Sequence, residues 1–196
     1  MDDASLMVRA DAVEVSAEQR DGMFYVVSKR KFAILYTATM GVYALYWFYK
    51  NWERYKECCA FDSPAGKIWP AARATFSVFF VNSLFRHVKE HAPDNPEVRN
   101  WGNGNHAALL VFLLLVEQAL DRAAMRSIGS PYTDWLGMII LAPLLLCFSV
   151  AQDMINVSCG DPSGAQNAKL TMANYAWIAL GCVMWALTFI GMMLPD

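Results

Sequence analysis

The sequence predicts an all-α fold: an integral membrane helical bundle of four to five transmembrane helices. Three observations carry the prediction. The 196-residue chain is 56% hydrophobic and only 17% charged, too apolar for an ordinary soluble domain. Its apolar residues gather into five stretches, at about 32–49, 68–85, 106–120, 132–150 and 172–194, parted by polar connections that hold most of the prolines and glycines. The first stretch, Phe32–Tyr49, runs eighteen residues without a charge. At about 1.5 Å per residue that is about 27 Å, close to the roughly 30 Å of a bilayer's hydrocarbon core. One transmembrane domain over residues 25–196 is expected, preceded by a polar tail over 1–24. That tail lacks the basic start and apolar core of a secretory signal, so the first span is expected to act as the insertion signal.

The first stretch organises the rest. Ser28-Lys29-Arg30-Lys31 precedes it and Lys50-Asn51-Trp52-Glu53-Arg54 follows, with Tyr43, Tyr46, Trp47, Tyr49 and Trp52 crowding its second end. Tyr36, Thr39, Tyr43, Tyr46 and Lys50 recur at three- and four-residue steps, so a continuous helix would carry them on one face. That face reads as a packing surface whose hydroxyls bond neighbouring helices, or as a polar groove for a lipid headgroup or small ligand.

In the second stretch Pro70 suits a first helical turn, and Arg73 lies about one and a half turns in. An arginine at mid-membrane costs about 2.5–3.5 kcal/mol, so Arg73 either snorkels to the interface or faces a partner inside the bundle. The next connection holds His87-Val88-Lys89-Glu90-His91, which spells H-x-x-E-H; on a helix His87 and His91 share a face at ligand spacing. His87, Glu90 and His91 are thus metal candidates, although no second motif announces a third ligand. The third stretch closes in Glu117-Gln118-Ala119-Leu120-Asp121-Arg122, where two carboxylates four residues apart could share a proton, hold a cation, or mark the watery end of a span. Pro143 sits in mid-span of the fourth stretch and predicts a kink. Gln152 and Asn156 follow, one turn apart, able to hydrogen-bond a neighbour. In the last stretch Asn174, Trp177, Gly181 and Trp185 form a stripe expected to pack on the first.

The pattern Thr39-x-Gly41-x-Tyr43-x-x-Tyr46-Trp47-Phe48-Tyr49-Lys50-Asn51-Trp52 resembles the signature of an uncharacterised family of small multi-span bacterial membrane proteins. Ser28 and Lys31-Phe32 match that family's lead-in. Pro70, Arg73 and Ala74 match a later step, and Ala151, Gln152, Asn156, Asn174, Gly181 and Trp185 match its closing blocks. The resemblance covers about half the chain. It implies a helical fold and a multi-pass place in a bacterial inner membrane, and brings no activity with it.

The five cysteines, odd in number and without repeating spacing, do not form a disulfide framework. A net charge of −2 gives no basic footprint for nucleic acid. No phosphate loop, dinucleotide fingerprint or nucleophile elbow is spelled, so no cofactor and no catalytic residue is expected. Nine basic residues on the side of the N-terminus against seven on the other favour a cytoplasmic N-terminus in a five-span arrangement, while four spans with the second stretch lying at the interface remain open. Three functional classes survive. The first is a non-enzymatic bundle binding membrane lipids, another membrane protein or a second copy of itself. The others are a small transporter or channel using Arg73, Asn82, Glu117 and Gln152, and a membrane enzyme acting on lipid or peptide. The expected contact set is Tyr36, Thr39, Tyr43, Tyr46, Arg73, Gln152 and Asn156, gathered in one polar cluster that is structural first.

Overall fold

The computed structural model describes residues 22–59 and 66–193, and every regular element among them is helical. The polar tail expected at the start lies outside the described residues as far as Asp21. Residues 25–28 lead into the first helix without regular secondary structure, and Phe24, Val26 and Val27 are buried. Eight α-helices follow: α1 (Lys29–Ala38), α2 (Tyr43–Glu57), α3 (Pro70–Thr75), α4 (Ser77–His91), α5 (Pro96–Asn100), α6 (Asn103–Ala124), α7 (Tyr132–Ser158) and α8 (Met172–Met193). A single 3₁₀ turn, Ala165–Asn167, lies between α7 and α8.

The expected first span is two helices. The chain turns at Thr39–Val42, where Met40 and Gly41 take left-handed backbone angles (φ 51° and 86°). Glycine adopts such angles without steric cost. Thr39 finishes one helix and starts the next: its hydroxyl donates to the Leu35 carbonyl at 2.8 Å and accepts from the Tyr43 N–H at 3.0 Å. The Gly41 N–H closes the turn onto the Tyr36 carbonyl at 2.8 Å. The second stretch is likewise divided, at Phe76 between α3 and α4, with Pro70 in the first turn of α3 as its chemistry favours. In α6 the uninterrupted apolar run is only Ala107–Val116, ten residues, short of a membrane crossing.

Two helices among the described residues, α7 and α8, are long and apolar enough to cross a membrane, not four to five. At 27 and 22 residues they are about 40 and 33 Å long. Sequence hydropathy counted residues that the fold instead spends on a core. Phe32, Trp47 and Phe48, from the expected first span, meet Phe148 of α7 with ring centroids 5.4–6.0 Å apart.

Helix α7 is the axis. α6 packs along it and α4 on α6; α1 lies between α7 and α8, and α2 covers α3 and α4. α8 touches the body mainly at α1. A methyl group added at Gly181 would come within 1.9 Å of the Ala38 carbonyl oxygen, so only glycine permits this approach. The Trp185 indole N–H donates to the Thr37 carbonyl at 2.9 Å. The remaining face of α8, with Tyr175, Leu180, Val183, Leu187 and Ile190, is uncovered. An apolar surface of that extent calls for lipid or a protein neighbour.

Candidate functional site

Helix α7 carries two contrasting polar environments. At its C-terminal half, Gln152 and Asn156 are buried and hydrogen-bonded through both their oxygens and their amide groups. The Trp47 indole N–H donates to Gln152 Oε1, and the Gln152 amide donates to the Tyr25 carbonyl at 3.1 Å and to Asn156 Oδ1 at 2.6 Å. Asn156 donates to the Val27 carbonyl at 3.0 Å and accepts from the Val27 N–H at 3.3 Å. Asn51 accepts from the Tyr25 N–H at 3.1 Å, and Asn167 donates to the Val26 carbonyl at 3.0 Å. Four side-chain amides thus satisfy a segment that has no strand to pair with. Lys31 locks the same end, donating to Asn167 Oδ1 at 2.6 Å and to the Lys169 carbonyl at 2.8 Å. Each of these groups is engaged in holding the chain.

The N-terminal half of α7 lines a cavity of about 1060 Å³. Its walls come from the α1–α2 turn and the start of α2, Thr75 and Ser77 at the α3–α4 junction, the second half of α6, α7 and the end of α8. Tyr36, Leu114, Leu141, Phe148 and Leu187 give it apolar faces, while Glu117, Gln118, Asp121 and Asp134 add polar groups; among the described residues no Lys, Arg or His lines it. Asp134 accepts from the Ser130 hydroxyl at 2.9 Å. Neither Glu117 nor Asp121 has a salt-bridge partner among the described residues.

The expected single polar cluster is therefore split. Tyr36 reaches the cavity. Thr39 is spent on the turn, and the Tyr43 hydroxyl lies 3.2 Å from that of Tyr25. Tyr46 packs edge-on against Tyr25, with centroids 6.0 Å apart. Gln152 and Asn156 hold the segment before α1. Arg73 stands apart, its guanidinium 4.3 Å from the Trp52 ring centre and 5.0 Å from that of Phe80.

The metal candidates also part. His87 stacks on Tyr55 with centroids 4.6 Å apart, and its Nδ1 lies 3.2 Å from Glu90 Oε2. His91 packs edge-on against Phe24. Among the described residues no three His, Cys, Asp or Glu side chains converge as metal ligands would. Burial holds the His87 imidazole below the usual histidine value, against the pull of Glu90.

Sequence reasoning missed Asn51, Asn167 and Asp134. Asn51 carried a legible signal, an amide one turn beyond Trp47 on a helix otherwise rich in rings; Asn167 and Asp134 carried none. No family model, curated protein or solved structure matches the chain.

Proposed function

We propose that the protein is a multi-pass membrane protein of the bacterial inner membrane, as the signature resemblance implies, whose bundle binds a membrane-derived amphiphile without catalysing a reaction. Helices α7 and α8 cross the bilayer, and the uncovered face of α8 meets lipid. The observation that carries the binding reading is the cavity: it is as large as the largest small-molecule sites, and apolar walls with a few polar groups are what such sites share. An apolar chain lies against Leu114, Leu141, Leu144 and Phe148. A hydrogen-bond-donating or ammonium end meets Glu117, Gln118 and Asp121, whose lining offers acceptors and no competing cation.

The test is chemical. Full-length protein and its Met138→Trp variant, which narrows the cavity, are purified in the same detergent and extracted with organic solvent, and the extracts are compared by mass spectrometry. An amphiphile present at near-stoichiometric level in the first and depleted in the second is expected. Equal recovery from both would remove the cavity as the site.

A second reading, a small transporter, is favoured by the same carboxylates, because ionisable residues beside candidate spans often mark a path for ions. Uptake of an organic cation into proteoliposomes that Glu117→Gln abolishes would select it.

A further inference from the structure

The Arg73 corner is separate from the cavity and has its own unmet chemistry. The Arg73 guanidinium carbon lies over two rings that stand at 82° to each other, 4.3 Å from the centre of Trp52 and 5.0 Å from that of Phe80. A guanidinium carries five N–H donors, and rings set at right angles cannot cover them all. Among the described residues none of those donors has a carboxylate or other acceptor within hydrogen-bonding distance. Trp52 repeats the deficit: its ring is 0% exposed, and its indole N–H is the one buried side-chain polar atom without a partner among the described residues. Leaving a buried donor unmet costs about 1–3 kcal/mol, so such an atom calls for an explanation.

The surroundings say which acceptor fits. Arg73 lies on α3 among outward-facing rings, Trp69 at 72% and Phe79 at 79% exposed, with Phe76 between them. Rings of that kind rest in the headgroup layer of a membrane. The carboxylates of α2 and α4 are engaged within their own helices, Glu53 with Lys50, Glu57 with Arg54 and Glu90 with Arg86 and His87. A half-buried arginine with no carboxylate partner among the described residues and a collar of outward-facing aromatics suit a phosphate, which takes two parallel N–H bonds from one guanidinium.

We propose that Arg73, supported by Trp52, is a docking site for the phosphate of an anionic phospholipid. The inference rests on the membrane reading of the chain and not on the cavity.

Native mass spectrometry of the full-length protein tests it, in micelles doped with phosphatidylglycerol or phosphatidylcholine at equal mole fraction, with a third arm adding inorganic phosphate. The wild type should retain phosphatidylglycerol about tenfold over phosphatidylcholine, the scale of a charge-assisted hydrogen bond. Arg73→Gln should erase the preference. Met138→Trp should leave it intact even if the cavity reading fails. No preference in the wild type, or a preference that survives Arg73→Gln, would overturn the site. Inorganic phosphate displacing the lipid at millimolar concentration would overturn its assignment to lipid. If Arg73→Gln does not fold, the ¹⁵N-indole resonance of Trp52 in the wild type decides. It should move on adding phosphatidylglycerol and not phosphatidylcholine, and a static resonance would contradict the proposal.

Discussion

The two halves of helix α7 make opposite use of polar residues. Toward its C-terminus, Gln152 and Asn156 are hydrogen-bonded to each other and to Trp47, Tyr25 and Val27. Toward its N-terminus the same helix faces a cavity lined by Glu117 and Asp121 of α6, which have no salt-bridge partner among the described residues. A polar group bonded within the chain holds the fold. One left open beside a large space is available to a ligand, and the contrast assigns scaffold to one end of the helix and binding to the other.

Breaking the hydrogen-bonded end should have the largest effect. Gln152→Ala strips partners from a buried indole N–H, a backbone carbonyl and Asn156, each worth about 1 kcal/mol or more. A loss of roughly 3 kcal/mol is expected, with faster amide exchange over residues 25–28 measured by hydrogen–deuterium exchange mass spectrometry. Unchanged exchange there would mean the amide clasp does not hold the segment. Narrowing the open end should do the reverse. Met138→Trp should leave the thermal midpoint within a few degrees of the wild type while removing the co-purified amphiphile, so a large loss of stability in this variant would blur the division.

The smallest effect expected is a pH dependence. His87 titrates below its unfolded value near 6.5 because burial disfavours its charged form. Its contribution is therefore complete above pH about 6.5 and is lost as pH falls through the folded value. Melting in detergent between pH 7.5 and 5 should show a decline from this residue that His87→Phe flattens; an identical slope in both proteins would place the sensitivity elsewhere.

The helical class was legible in composition and periodicity, and so were the apolar lengths of α7 and α8. The span count was not. Eighteen uncharged residues satisfy a hydropathy criterion whether or not their backbone turns, and the turn at Met40–Gly41 depends on Thr39 bridging two helices. Once the chain turns there, the three- and four-residue rhythm that placed Tyr36 beside Tyr43 and Tyr46 no longer describes one face. Gly181 and Trp185, by contrast, were read as a seam against the first stretch, and they meet α1 at Ala38 and Thr37. Small residues and a ring at helical spacing announce close packing locally. Gln152 and Asn156 were legible as hydrogen-bonding residues, yet their partners lie 105 to 129 positions away on Trp47, Tyr25 and Val27, and no local pattern names such a partner. The cavity was invisible for the same reason, since five separate parts of the chain wall it.

The most direct test of the division is a thermal-shift titration of the full-length protein with dodecylamine below its micelle concentration, in wild type, Gln152→Ala and Met138→Trp. A ligand that binds only the folded state raises the midpoint in proportion to its occupancy. The account predicts the same upward increment in wild type and in the less stable Gln152→Ala, and none in Met138→Trp. An increment preserved in Met138→Trp, or abolished in Gln152→Ala, would contradict the separation of a structural end from a binding end.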